Sequence, residues 1–162
     1  MKLGVGGAAI LALAGGGVAL LRPGWVEGGL SADAAKVMRA VARAVLDGSL
    51  PADAVAREAA LHGHMKRLDA TIAGFPAAIQ DELSQLLMLL ASAPGRVLLA
   101  GLYKPWEEAN VDELSAALQA MLTSSIALRQ QAFHALRDLT NAAYFADPAT
   151  WPLLGYPGPL AI

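Results

Sequence analysis

The chain has 162 residues, of which 56% are hydrophobic and 16% are charged, and its formal net charge is −2. This length suits one domain with a hydrophobic core, and the composition excludes a disordered charged tail and the basic surface of a nucleic-acid-binding protein. The chain contains no cysteine. Disulfides, thiolate zinc sites, cysteine-ligated iron–sulfur clusters and thioether-attached haem are therefore excluded as well.

The amino-terminal segment, residues 3–21, is apolar and uncharged, with Lys2 before it and Arg22-Pro23 after it. As a helix it would span roughly 28 Å, close to the ~30 Å hydrocarbon thickness of a bilayer. Its many glycines each weaken a helix by about 0.8–1 kcal/mol relative to alanine. A short positive end followed by a mildly hydrophobic stretch is typical of an export signal. We predict that residues 1–24 are an export signal or a retained membrane anchor.

The body of the chain, residues 25–146, has apolar residues at helical spacing and no stretch that alternates with period two. We predict one all-α domain of four to five long helices joined by short loops. The first helix is capped by Ser31 and runs through Leu46, because Gly48 stops it. The second opens at Pro51 and ends near Ile72.

The third helix starts at Pro76, and its residues 86–91 are apolar on every side. Such a helix is expected to be central in the domain or to be covered by a partner. After a break at Pro94-Gly95 and a short turn of helix, Asn110 and Glu113 have the spacing of a reciprocal cap. The fourth helix starts there, and the fifth reaches Tyr144 unless the two form one continuous rod.

The tail, residues 147–162, is rich in proline and contains two large aromatic residues, Trp151 and Tyr156. Its prolines disfavour helix, and its apolar side chains are unusual for a solvated terminus. We predict an extended interaction element that lies either on the chain's own core or on another chain.

Histidine is the residue type most suited to acid–base or metal chemistry here, and the chain has three. His62 and His64 are two apart, so on a helix they point ~200° from each other and do not share a metal ion. We interpret this pair as part of a solvated helix face, although Glu58 shares a face with His62 at i, i+4.

His134 lies among polar residues on the last helix, and we expect this group to hydrogen-bond the tail or a neighbouring helix. The sequence has no serine elbow, no paired catalytic carboxylates and no phosphate loop, and its early glycines do not form a dinucleotide motif. We therefore predict no catalytic, cofactor-binding or metal-binding residue and no enzymatic activity of the chain's own.

Residues 132–148 (AFHALRDLTNAAYFADP), followed by residues 154–158 (LGYPG), resemble the ending of the gluconate 2-dehydrogenase subunit 3 family. Related small subunits accompany bacterial flavin dehydrogenases of the glucose-methanol-choline type. The glycine-rich leader and the alanine-rich body are similar to that group in composition, whereas the ending carries the specific likeness.

The resemblance implies a non-catalytic small subunit that assists folding, twin-arginine export and membrane-side assembly of a large FAD-bearing dehydrogenase subunit. It implies that FAD is bound by the partner, that electrons pass to a cytochrome c or a quinone, and that the complex is periplasmic. The complex is tethered to the inner membrane if residues 3–21 are retained. The twin arginines themselves are absent, since Lys2 is the only basic residue before Leu3.

Aromatic residues dominate the energetics of protein interfaces, so the aromatic and polar residues of the loops, last helix and tail are the candidate partner contacts. These candidates are Tyr103, Trp106, His134, Arg137, Tyr144, Phe145, Trp151 and Tyr156. The alternative function is a stand-alone, membrane-anchored periplasmic binding protein with a ligand cavity between its helices.

Overall fold

The computed structural model describes residues 23–26 and 28–158 of the chain. Two short strands, β1 (Trp25–Val26) and β2 (Gly29–Leu30), form an antiparallel hairpin ahead of the helices. The long helices follow in chain order as α1 (Ala32–Val45), α2 (Ala54–Ala73), α3 (Ala77–Ala91), α4 (Val111–Leu122) and α5 (Ala127–Phe145).

Shorter helical pieces complete the described chain. A single turn at Ala93–Gly95 continues into a π-helical segment, Arg96–Ala100, between α3 and α4. A 3₁₀ helix, Pro148–Leu154, follows α5. The prediction of a mostly helical, all-α chain is thereby confirmed for the described residues, and α4 and α5 are separate helices rather than one rod.

Side-chain caps determine where several helices begin. Ser31 accepts a hydrogen bond from the backbone N–H of Ala34 (3.3 Å), as predicted for α1. Asn110 and Glu113 accept each other's backbone N–H at 2.9 and 3.0 Å, which is the predicted reciprocal cap of α4. The predicted start of α2 at Pro51 is wrong. Asp53 is the capping residue and accepts a hydrogen bond from the backbone N–H of Ala56, so the helix starts at Ala54.

The core is built around α1, which packs against each of the other four long helices. Its buried residues include Ala34, Ala40 and Ala42, whose small side chains let neighbouring helices approach. The expectation that α3 is central is wrong. Only Leu86, Leu87 and Leu90 of its apolar run are buried, so α3 lies at the side of the bundle.

The hairpin is attached tightly to α3. Gly24 N–H donates to the carbonyl of Ser84 (3.3 Å), and Trp25 N–H donates to the Ser84 hydroxyl (3.0 Å). A Cβ atom at Gly24 would lie 2.6 Å from the Ser84 carbonyl oxygen and 2.7 Å from Leu87 Cβ, so only glycine allows this approach. The chain therefore enters the domain at a defined point on α3.

Within the described ranges, no single helix has both the length and the hydropathy of a membrane span. Helix α3 and residues Ala93–Ala100 meet that criterion only as a pair, and they are bent by 88°. The predicted export signal or anchor lies outside the described residues except for Pro23 and Gly24, and so do residues 159–162 of the predicted tail.

Candidate interaction surface

The tail is helical where an extended segment was predicted. Residues Pro148–Leu154 form a 3₁₀ helix capped by Asp147, whose carboxylate accepts from the backbone N–H of Ala149 at 3.0 Å. Proline is tolerated at the first position of a helix because the N–H there has no partner within the helix. The prediction of an extended tail is therefore wrong for these seven residues.

The 3₁₀ helix is held against the chain's own α5 and α2. Trp151 Nε1 donates to the carbonyl oxygen of Phe145 (2.8 Å), and Thr150 Oγ1 donates towards the carbonyl oxygens of Tyr144 and Asp147 (3.2 and 2.8 Å). The Arg67 guanidinium on α2 lies 3.1 Å from the Asp147 carboxylate. Of the two alternatives for the tail, its described part thus packs on its own chain.

A cleft of about 400 Å³ lies between α2, the loop from α1 to α2, and the 3₁₀ helix. We call it the tail cleft. Its apolar lining comes from both sides, namely Leu50, Pro51, Ala59, Ala60, Ala149 and Leu153. Leu153 is 64% exposed, and Val55, one helical turn before Ala59, is 79% exposed. The cleft therefore has an apolar rim that faces solvent.

The polar groups of the tail cleft have partners within the chain. The Tyr144 hydroxyl donates to the carbonyl oxygen of Ser49 at 2.9 Å, and Arg67 Nε donates to the carbonyl oxygen of Ala143 at 3.1 Å. Burial raises the pKa of Tyr144, Asp147 raises it further, and Arg67 opposes both by lowering it. The phenol accordingly stays a neutral hydrogen-bond donor at physiological pH. A ligand or partner thus meets mainly apolar surface here.

His64 lies in the interior beside this cleft, with its ring centroid 6.4 Å from that of Tyr144. Neither of its ring nitrogens has a hydrogen-bond partner among the described residues. Burial, with a smaller contribution from the positive charge of Arg67, lowers the pKa of His64 to about 4. The imidazole is therefore neutral near pH 7.

The interpretation of both histidines as a solvated face is wrong for His64. α2 continues unbroken through Gly63, so the two imidazoles point apart, and only His62 is exposed. Glu58 forms an ion pair with Arg39 of α1. No group of three or more potential metal ligands occurs in residues 23–26 and 28–158.

Four of the predicted partner contacts come together at the carboxyl end of α5. The rings of Tyr144 and Phe145 lie 5.2 Å apart, and those of Trp151 and Tyr156 lie 5.3 Å apart. Tyr156 is 46% exposed, whereas Trp151 and Phe145 are half-buried. Tyr144 is buried, so its side chain offers little surface to a partner in this fold.

The other four predicted contacts lie elsewhere. Trp106 is 2% exposed and donates to the carbonyl oxygen of Leu90 (2.7 Å), so it belongs to the core of this fold. Tyr103, three residues earlier, is 81% exposed. His134 and Arg137 lie midway along α5, where both contact Phe133 and Arg137 also pairs with Asp138.

Of the polar group around His134, Arg129 donates to the carbonyl oxygen of Leu99 in the π-helical segment (2.8 Å), as expected. His134 itself forms no side-chain hydrogen bond within the described part of the chain and contacts Phe133 instead. Sequence reasoning also missed the apolar rim formed by Val55 and Leu153. The i, i+4 spacing of Val55 and Ala59 was the only available signal. That spacing is equally typical of a core-facing helix stripe.

Comparisons with protein-family models, with curated proteins and with solved structures found no match to this chain.

Proposed function

We propose that this chain is the non-catalytic small subunit of a periplasmic FAD-dependent alcohol or sugar dehydrogenase. In this role it assists folding, export and membrane-side assembly of the flavin-bearing large subunit, which passes its electrons to a cytochrome c or a quinone. The chain itself contributes an interface and no reacting group. The resemblance of residues 132–148 and 154–158 to the gluconate 2-dehydrogenase subunit 3 family supplies the identity of the partner.

The observation that supports an interface role most directly is the apolar rim of the tail cleft. Leu153 lines this depression and is 64% exposed, and Val55, one turn from Ala59 of the lining, is 79% exposed. Within the depression, Tyr144 and Arg67 donate to carbonyl oxygens of the chain itself. Exposed apolar surface rimmed by polar residues is typical of a protein-binding site. The residues that form it belong partly to the segment that carries the family resemblance.

The proposal is tested by purifying the tagged full chain from its native host and recording the absorbance spectrum of what accompanies it. We expect a large partner with a flavin spectrum in constant ratio to the chain. A pure, colourless, monomeric chain recovered from intact membranes would contradict the proposal and favour the stand-alone binding protein.

The surface is tested by Leu153→Asp, which places a charge on the rim without entering the core. We expect this variant to lose most of the co-purified flavin. Ile126→Asp is the matched control, because Ile126 is also a large exposed apolar residue but lies at the opposite end of α5. Equal flavin recovery with both variants would exclude the tail cleft as the contact surface. Unchanged dehydrogenase turnover with His134→Ala would agree with a non-catalytic chain.

A further inference from the structure

The outward face of α3 changes character along its length. It begins with the exposed, charged residues Asp81 and Glu82. It continues one and two turns later with Gln85, Met88 and Leu89, which are half-buried, and Leu89 also packs against the core. No charged residue occurs between Glu82 and Arg96. The carboxyl half of this helix therefore presents an uncharged, largely apolar face to its surroundings.

The uncharged run ends within the bend that follows α3, at Arg96, whose guanidinium donates to the carbonyl oxygens of Leu102 and Tyr103 (3.2 and 3.3 Å). Ala93 and Pro94 are exposed at the bend, and Leu98 of the π-helical segment is 74% exposed. The π-helical segment also packs against α3. We call residues 88–98 the apolar bend.

The chain just after the amino-terminal segment lies on α3. Gly24 is bonded to Ser84 and lies against Leu87 and the backbone of Met88. Only Arg22 and Pro23 separate Gly24 from the apolar residues 3–21. Two residues span at most roughly 7 Å, so a membrane-inserted segment 3–21 would hold α3 at the bilayer surface.

We propose that the apolar bend lies in the interfacial layer of the lipid bilayer when residues 3–21 are retained and inserted. A zwitterionic lipid surface suits the apolar bend, because Arg96 is its one charged residue and already donates to two backbone carbonyls, which leaves little charge for an anionic headgroup or a charged protein surface. The length of the apolar segment and its point of entry on α3 favour lipid over a protein partner. The proposal does not rest on the subunit role, which concerns the tail cleft.

The absence of cysteine allows single labels to be placed at will in the full chain. Leu98→Cys and Ala93→Cys each receive an environment-sensitive fluorophore, and the chain is reconstituted in phosphatidylcholine vesicles that contain a lipid-borne quencher. Val55→Cys is the matched control, because it is an exposed apolar position on α2, away from the bend. Val18→Cys reports whether the amino-terminal segment inserts, and circular dichroism checks that each labelled chain is folded.

We expect blue-shifted emission at positions 93 and 98 and quenching about twofold or more stronger than at position 55, as for side chains buried at the headgroup boundary. Quenching at position 18 with water-like emission at 93 and 98 would overturn the proposal. Absence of quenching at all four positions would overturn it as well. If quenching at position 98 occurred in the free chain and disappeared when a flavoprotein partner was added, the result would support the proposal for the free chain.

Discussion

Two short proline-containing segments of this chain share the same aromatic residue types, but their tryptophans are buried to different extents. Residues 103–106 contain a tyrosine, a proline and a tryptophan, and so do residues 151–156. Trp106 is buried against α3 and donates to a carbonyl 16 residues away, whereas Trp151 is half-buried and donates to a carbonyl only six residues away. The first segment connects the π-helical segment to α4 and buries only its tryptophan, whereas the second follows α5. Position in the tertiary structure, rather than aromatic content, thus decides which tryptophan belongs to the core.

The largest expected effect is the difference between the two tryptophans. Trp106→Ala should lower the free energy of unfolding by about 3–5 kcal/mol, because it leaves a cavity and a buried carbonyl without its donor. Trp151→Ala should cost less than about 1.5 kcal/mol, since its ring is partly solvated and its bond is local. Urea unfolding followed by circular dichroism measures both. Equal losses for the two variants would refute the contrast.

Acid is expected to weaken the end of the molecule that carries Trp151. The pKa of His64 is about 4 in the folded chain, against an ordinary value of 6.5. Because the unfolded chain binds this proton first as the pH falls, the free energy of unfolding drops between about pH 6.5 and pH 4, by up to ~3 kcal/mol.

His64→Leu should remove most of that slope in unfolding experiments between pH 7 and pH 4.5. It should also maintain or raise stability at pH 7, because a buried polar group without a partner is replaced by an apolar one. His62→Leu, at an exposed position of the same helix, is the control and should keep the slope of the natural chain. If the free energy of unfolding of His64→Leu fell with pH as steeply as that of the natural chain, groups other than His64 would cause the loss of stability in acid.

A smaller effect is expected at α3, the helix whose carbonyl accepts from Trp106. Gly24→Ala places a methyl group 2.6 Å from the Ser84 carbonyl oxygen, so the hairpin must move away from α3. We expect a loss of about 1–3 kcal/mol in thermal or urea unfolding. Gly29→Ala is the control, since a Cβ there meets no atom within 4 Å. A neutral Gly24→Ala would mean that the entry point on α3 is not held tightly.

The smallest effects are expected from the ion pairs that flank the two segments. Arg67 and Asp147 lie 3.1 Å apart with both side chains about one-third exposed, whereas the pair Lys36–Glu107 is about half-exposed. Asp147→Asn keeps the cap of the 3₁₀ helix but removes a charge, and should cost about 0.5–1 kcal/mol. Glu107→Gln should cost less, although the pKa of Glu107 is lowered by its own backbone N–H and by Lys36. Unfolding in high salt should reduce the difference between the two variants.

Local signals predicted most of the helices. The side chains of Ser31, Asn110 and Glu113 satisfy backbone groups within a few residues, so their spacing in the sequence was sufficient. The 3₁₀ helix of the tail was missed, because its first proline was read as a helix breaker although a first helical position accepts one. The start of α2 was misplaced because Pro51 competed with Asp53 as the opening signal.

The candidate interaction surface was predicted only in part. The aromatic residues of the tail were identified from composition, and Trp151 and Tyr156 line a second depression, distinct from the tail cleft. Trp106 and Tyr144 are buried, and Val55 is exposed, although nothing in their local patterns distinguishes them. Each assignment depends on which helix packs against that residue from elsewhere in the chain.

The amino-acid sequence by itself determined the helical class, the caps of α1 and α4, the uncharged run on α3 and the chemistry that a cysteine-free chain excludes. Those properties are local, since they depend on residue type and on spacings of a few residues. Only the tertiary structure decided that α1 rather than the more apolar α3 is central, that His64 is buried, and which tryptophan closes the core. Burial depends on what long-range packing brings opposite a side chain, and hydropathy does not encode that neighbour.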